Sequence, residues 1–217
     1  MRTIVASLLM VATSWPAALA ATSFTGVIYS YHGGVSSTAS GWMRLAVGNQ
    51  VYFLTYQKPY PQDFSRSDCW FPGTIWTIEA EIREDGHGIL LGARCDGEQD
   101  EFFGAAVSVV REFFRLVSGN NFENAYDLFT SSYRTAHPYS DFIAEVENLN
   151  LNWYEQYGGQ GKCLDILERT AENAVRLEAG IDCGIERKGE YYRLYFVVEQ
   201  EQTSEQFQIG KLGTMLL

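Results

Sequence analysis

Cys95-Asp96-Gly97-Glu98-Gln99-Asp100-Glu101-Phe102-Phe103 is the stretch at which the sequence changes its pattern. Before it, from Thr22, short runs of β-branched and aromatic residues alternate with turn residues, which is typical of strands. After it, apolar residues recur at helical spacing. We therefore expect an α+β fold with one domain over 22–100 and a second over 101–217. The polar stretch at 96–100 predicts a solvated hinge, because its carboxylates lack the ligand order of a calcium-binding loop.

Five strands are predicted in the first region. They cover about 24–31, 41–47, 51–57, 75–83 and 88–95. Their order is a three-strand meander, a long connection and a hairpin. Over about 22–95 the chain thus resembles a small closed β-barrel of the OB type. This resemblance implies a fold and no particular activity.

Gly48-Asn49-Gln50 separates the second predicted strand from the third. A three-residue loop here pairs 47 with 51, 45 with 53 and 43 with 55, which places a mostly apolar set inside. The opposite face then carries aromatic side chains and a cation, namely Trp42, Arg44, Tyr52 and Tyr56. Such residues are enriched at binding surfaces, so we predict contact with a ligand or partner there. Two alternatives stay open: this face packs against the second region, or inside and outside are exchanged.

Three helices and four strands are predicted in the second region. An apolar stripe from Phe103 to Val117 stops at Gly119 and predicts the first helix. A second helix follows Asn121, and a third is capped by Ser140. The strands are expected at about 161–171, 175–186, 190–201 and 205–215.

A family resemblance rests on two runs in this region. They are Ser118-Gly119-Asn120-Asn121-Phe122-Glu123-Asn124-Ala125-Tyr126-Asp127-Leu128-Phe129 and Tyr139-Ser140-Asp141-Phe142. With the antiparallel strands that follow, residues from about 103 to 215 resemble the nuclear transport factor two-like superfamily. The resemblance implies a cone-shaped domain in which three helices pack on a curved antiparallel sheet around a pocket. Another domain of three helices and four strands is the alternative.

Some enzymes similar to this superfamily, ketosteroid isomerase and scytalone dehydratase among them, place Asp, His or Tyr acids and bases inside the cone. Here no histidine falls on a predicted strand, and His137 lies in a loop before Pro138. Asp165 is expected to point into the pocket with a raised pKa, or to pair with Arg169 on the same face. We therefore predict no catalytic residue and no cofactor.

The first twenty residues are typical of a secretory signal peptide, with Arg2, an apolar stretch and the small-residue site Ala18-Leu19-Ala20. We expect removal of 1–20, export to the periplasm or exterior, and no membrane insertion of the mature chain. Four cysteines in an exported chain predict two disulfides. The predicted strand register pairs Cys163 with Cys183 and leaves Cys69 with Cys95. Zinc is the alternative, but the cysteine and histidine spacings do not favour a metal site.

The charge of the chain argues against nucleic acid as a partner. The chain has 16 basic and 27 acidic side chains, and removal of Arg2 with the leader changes its net charge from −11 to −12. Residues 22–100 alone hold five basic and nine acidic residues. Such a chain repels phosphate backbones. We expect a non-enzymatic binding or assembly protein of the cell envelope or exterior, with a protein, peptide, glycan or small molecule as partner. A small-molecule lyase, isomerase or hydrolase using the cone pocket is the alternative.

Overall fold

The computed structural model describes residues 21–32, 40–57, 69, 71–149, 164–179, 185–187, 190–201 and 206–216. Strands and helices follow in the order β1 (Ala21–His32), β2 (Ser40–Val47), β3 (Gln50–Gln57), β4 (Thr74–Ile82), β5 (His87–Gln99), α1 (Glu101–Ser118), α2 (Phe122–Asp127), α3 (Ser131–Ala136), α4 (Tyr139–Leu149), β6 (Leu164–Ala171), β7 (Ala174–Ala179), β8 (Ile185–Arg187), β9 (Glu190–Gln200) and β10 (Phe207–Leu216). Within these residues, no helix is both long and apolar enough to cross a bilayer.

The first five strands form a closed barrel in the order β1-β2-β3-β5-β4, with β4 returning to β1. All neighbouring pairs are antiparallel except β3 and β5, which run parallel. Large apolar side chains fill the interior, including Met43, Leu54, Trp76 and Ile78. This closed five-stranded arrangement is compatible with the OB-type barrel expected from the sequence.

The β2–β3 hairpin has a different register from the predicted one. Val47 pairs with Gln50, so the loop is the two-residue turn Gly48-Asn49 and not a three-residue loop. Gly48 has φ +58°, as a glycine in the first position of a type II′ turn does. Because a slip of one residue exchanges the two faces of a strand, Leu54 and Tyr56 enter the barrel core and Phe53 faces outward. The predicted inside of β3 was therefore wrong.

A disulfide in the barrel core joins Cys69 to Cys95. The two Cα atoms are 6.0 Å apart, and both residues are buried. The Trp76 indole donates a hydrogen bond of 3.1 Å to the Cys69 carbonyl, which ties the bridge to the barrel core. The predicted Cys69–Cys95 pairing is confirmed, and a disulfide here is compatible with an oxidising, exported location.

The expected hinge at 96–100 is a rigid junction. β5 continues to Gln99, which pairs with Thr74, and Asp100 is the only residue between β5 and α1. Its carboxylate caps α1 by accepting from the amides of Phe102 and Phe103 at 3.0 and 2.9 Å. Its own amide donates to the Gly73 carbonyl at 2.8 Å. The predicted hinge was thus wrong, because β5 runs up to Asp100 and hydrogen bonds from its carboxylate and amide hold the start of α1.

The described part of the chain contains four helices, one more than predicted, and an antiparallel sheet of order β10-β9-β7-β6, with β8 paired to β9. The additional helix is α3, whose first turn is capped by the Thr130 hydroxyl accepting from the Tyr133 amide at 3.2 Å. α1 packs across β7, β9 and β10. The space between helices and sheet is filled by aromatic side chains that are almost completely buried, namely Phe113, Phe114, Phe129, Phe142 and Phe196.

The β6–β7 register also differs from the prediction. Ala171 pairs with Ala174 across the two-residue turn at 172–173, and two bulges shift the ladder until Leu164 meets Ala179. The prediction had placed 171 opposite 175 and 167 opposite 179. Cys163 and Cys183 lie outside the described residues, so their pairing stays a prediction.

The barrel and the helix–sheet layer share a hydrophobic core. Tyr29 and Ala46 of the barrel strands belong to the same buried cluster as α1 and the sheet. The Tyr29 ring meets the Phe103 ring edge-on, with centroids 5.1 Å apart. Arg44 on β2 donates to the carbonyls of Ile166 and Leu167 on β6, at 3.5 and 3.0 Å. Apolar and polar contacts therefore both fix the barrel against the sheet.

Non-reducing peptide mapping of the mature protein should return a peptide pair linked through Cys69 and Cys95, with Cys163 linked to Cys183 as the second pair. Replacing Cys69 and Cys95 together with serine should lower the free energy of unfolding by about 3 kcal/mol, because the bridge closes a loop of 26 residues. A peptide linking 69 to 163 or 95 to 183 in the folded protein would contradict this pattern.

Candidate functional site on the outer face of the barrel

The four residues predicted as a binding surface do not form one surface. Tyr56 is 1 % exposed and belongs to the barrel core. Tyr52 packs against Phe24, with ring centroids 5.1 Å apart. Arg44 reaches the carbonyls of β6. Only Trp42, which is half-buried, lies on the outer barrel face away from these contacts. The prediction placed Tyr56 on the wrong face because of the slipped hairpin register.

Trp42 begins a row of aromatic rings that crosses three strands. Its ring stacks on Phe53 of β3 with centroids 5.4 Å apart and an interplanar angle of 26°. Phe53 in turn contacts the exposed imidazole of His87 on β5 at 5.2 Å. Phe53 and His87 are also direct partners in the parallel β3–β5 ladder. We call Trp42, Phe53 and His87 the aromatic row.

Three exposed aliphatic side chains adjoin the aromatic row. Val51 on β3 is 43 % exposed, and Ile89 and Leu91 on β5 are 50 % and 46 % exposed. Val51 lies two residues before Phe53, and Ile89 two residues after His87, so strand alternation places them on the same outer side. The aromatic row and these three residues are called the apolar barrel face below. Contiguous exposed apolar surface of this kind marks interaction sites more often than single exposed residues do.

Carboxylates border the apolar barrel face along β4. Glu81 pairs with Ile89 and Glu79 with Gly92, and both acids alternate with the buried Ile78 and Ala80. The surface therefore combines an apolar centre with a polar, negatively charged edge. Interfaces between proteins commonly have such an apolar core and a polar rim.

Asp165 and Arg169 lie on the side of the sheet that faces the barrel. Burial, with the Asp165 charge adding to it, raises the pKa of the Tyr31 hydroxyl on β1 to about 12. The Arg169 guanidinium lies over the Phe102 ring at 4.4 Å and donates to the carbonyls of Ala171, at 3.2 Å, and Glu172. Alternation along β6 directs Leu164 and Ile166, and not Asp165, into the core shared with the helices.

A second carboxylate stands opposite Asp165 in the ladder. Glu178 of β7 is its direct partner and is almost completely buried. It accepts a hydrogen bond of 2.6 Å from Arg193 on β9, and this ion pair is the charged contact that balances its burial. Paired in this way, Glu178 joins β7 to β9.

Aromatic packing fills the volume in which a cone pocket was expected. Phe113 contacts Phe129 and Phe196 with centroids 5.7 and 5.6 Å apart, and Phe129 contacts Phe142 at 5.4 Å. His137 lies at the end of α3, where its ring stacks on Tyr133 at 4.1 Å. Among the residues that the structure describes, no three His, Cys, Asp or Glu side chains form a group that could hold a metal ion.

Comparison with known proteins adds no relative to this description. No protein-family profile matches the chain, and no curated protein is significantly similar to it. The outer barrel face therefore has to be interpreted from its own chemistry. Sequence reasoning missed Phe53, His87, Ile89 and Leu91. The available signal was the uninterrupted apolar run Ile89-Leu90-Leu91, which places an apolar side chain on both faces of β5.

The neighbours Leu90 and Leu91 provide a matched test of this face. Leu90 is 5 % exposed in the barrel core, so Leu90→Ala should lower the free energy of unfolding by about 2–5 kcal/mol. Leu91→Ala should change it by less than about 1 kcal/mol, because Leu91 is 46 % exposed. Urea denaturation measures both values. Equal losses would contradict the assignment of Leu91 to the outer surface.

Proposed function

We propose that this chain is an exported, non-enzymatic binding or assembly module that holds a partner protein against the apolar barrel face. The observation that carries the proposal is the combination of the aromatic row with three aliphatic side chains that are each more than two-fifths exposed. Leaving this much apolar surface in water is unfavourable, and covering it with a partner recovers about 25 cal/mol for each Å² removed from water.

A protein fits this face better than a glycan or a nucleic acid does. Sugar rings could stack on the aromatic row, but Val51, Ile89 and Leu91 beside it offer no hydrogen-bonding group to sugar hydroxyls. Nucleic acids are disfavoured because Glu79 and Glu81 border the face and the whole chain has a net charge of −11. Apolar side chains of a partner protein can cover the aliphatic residues, and a protein has no phosphate backbone for the carboxylates to repel.

Several features support a role outside the cytoplasm and without catalysis. The leader over 1–20 directs export, and the Cys69–Cys95 bridge is compatible with an oxidising compartment. The OB-type barrel and the nuclear transport factor two-like arrangement of the second region are part of the same proposal. A lyase, isomerase or hydrolase of that superfamily needs a titratable group inside the cone. Phenylalanine side chains occupy that volume here.

A photocrosslinker tests the proposal directly. With p-benzoylphenylalanine in place of Leu91, irradiation of the exported fraction of the source cells should yield a discrete protein adduct. The same amino acid in place of Thr214, an exposed residue of β10 away from the barrel, should give none. Adding Ile89→Glu to the Leu91 variant should abolish the adduct without changing the melting temperature, because Ile89 is half-exposed.

Two results would overturn the proposed function. One is an adduct pattern at position 91 that equals the pattern at position 214. The other is an adduct whose yield is unchanged by the Ile89→Glu substitution.

A further inference from the structure

A cleft of about 880 Å³ lies where the barrel, the start of α1 and the β6–β7 hairpin meet. Tyr29 and Val51 line it from the barrel, Phe103 from α1, and Glu168, Arg169 and Glu172 from the hairpin. Val51 also belongs to the apolar barrel face, so the cleft and that face form a continuous surface.

Tyr29 lines the cleft, and its hydroxyl makes no hydrogen bond with the residues that the structure describes. The residue is 5 % exposed, and its ring packs on Phe103. No described residue donates to its hydroxyl or accepts from it. Burial raises the pKa of this hydroxyl, so the group stays a neutral donor. An acceptor on a bound molecule would give this hydroxyl a hydrogen-bond partner.

The edge of β6 supplies backbone groups to the same cleft. Among the described strands, β6 pairs only with β7. On the opposite edge of β6, the carbonyls of Ile166 and Leu167 accept hydrogen bonds from Arg44 of the barrel. Of the residues that follow, Glu168, Arg169 and Ala171 are exposed and line the cleft. The Leu167 and Ala171 carbonyls accept from Arg44 and Arg169, and the edge between them presents backbone N–H and C=O groups that can pair with an additional extended segment.

Charge at the mouth of the cleft favours a cationic ligand. The Glu168 side chain is 61 % exposed and lies 4.0 Å from Arg176, and Glu172 is exposed in the hairpin turn. Arg169, the cation that lines the cleft, is directed toward the Phe102 ring and the carbonyls of Ala171 and Glu172. Glu168 forms only a long ion pair with Arg176 and stays mostly exposed, so this carboxylate and that of Glu172 are accessible to a cation on a ligand.

We propose that the cleft receives an extended segment of a partner polypeptide, which adds as a strand to β6. An apolar side chain of the segment lies over the Tyr29 and Phe103 rings, the Tyr29 hydroxyl donates to a carbonyl of the segment, and a lysine or arginine lies near Glu168 and Glu172. This inference rests on the proposed function and deepens it by naming the class of ligand. Past Val51 the same partner reaches the apolar barrel face.

The test uses three synthetic peptides with the ¹⁵N-labelled mature protein. The first is an octapeptide of alternating valine and lysine, the second has glutamate in place of lysine, and the third is the lysine peptide N-methylated at alternate residues. The lysine peptide should shift the amide resonances of residues 167–172 and of Tyr29. The glutamate peptide should fail because of charge, and the methylated peptide should fail because it lacks strand-pairing donors.

A pair of tyrosine variants separates binding from folding. Tyr29→Phe should weaken the lysine peptide about fivefold, which is the value of one hydrogen bond, and leave stability unchanged because its hydroxyl makes no hydrogen bond with the described residues. Tyr126→Phe is the matched control, since its hydroxyl donates to the carbonyls of Arg134 and His137 at 3.0 and 2.7 Å. That change should lower stability and leave peptide affinity unchanged.

Three results would overturn the cleft proposal. The first is the absence of resonance shifts at 167–172 with the lysine peptide at about 1 mM, which corresponds to the weakest binding of interest. The second is equal binding of the methylated or the glutamate peptide. The third is that Tyr29→Phe binds the lysine peptide with unchanged affinity. The proposed function is judged separately. An adduct at position 91 without peptide binding refutes the cleft alone, and peptide binding without that adduct refutes the barrel-face partner alone.

Discussion

Asp100 sets the direction in which the second half of the molecule leaves the barrel. One residue connects β5 to α1, with its side chain capping the helix and its amide bonded to the Gly73 carbonyl. Gly73 has φ +92°, and a Cβ atom there would lie 3.1 Å from the Gly104 Cα of α1. Close backbone contact between barrel and helix therefore depends on glycine at 73. This junction places Phe103 of α1 against Tyr29 of β1, and this contact belongs to the core that the barrel and the helix–sheet layer share.

The shared core gives the proposed binding surfaces a defined geometry. Tyr29 and Ala46 pack with α1 and the sheet, and Arg44 bridges β2 to β6. The apolar barrel face and the cleft, which share Val51, are thus held in fixed positions relative to each other. A partner that contacts both surfaces gains affinity from this preorganisation, because little ordering entropy is lost on binding. The aromatic interior of the helix–sheet layer supplies rigidity.

Sequence patterns located most of the secondary structure, because alternation and helical spacing report directly on burial. The five barrel strands and α1 were predictable in this way. The Cys69–Cys95 bridge was predicted as the pair left after Cys163 and Cys183 were paired by a strand register that the structure does not have. Helix α3 was missed because Tyr133 is its only buried residue, which leaves no apolar stripe to detect. The hinge was wrong because turn-like residues at 96–100 also suit a strand end and a helix cap, and only the contact with Gly73 decides between them.

The candidate site was less predictable than the fold, because it depends on registers that differ by single residues. Choosing a three-residue turn over Gly48-Asn49 placed Tyr56 outside and Phe53 inside, the reverse of their positions in the structure. Bulges after Ile166 and Arg169 displaced the β6–β7 ladder in the same way, and bulges leave no strong mark on residue type. The cleft combines residues from β1, β3, α1 and β6, whose proximity follows from the junction at Asp100 and not from any local motif.

Differential scanning calorimetry of the mature protein tests the central claim, that the barrel and the helix–sheet layer share one core and form one cooperative unit. The claim predicts a single transition in which the calorimetric and van't Hoff enthalpies are equal, because the Tyr29–Phe103 contact and the Arg44 bridge couple the two parts. Two separate transitions, or a calorimetric enthalpy well above the van't Hoff value, would show two independently folding domains and contradict the account.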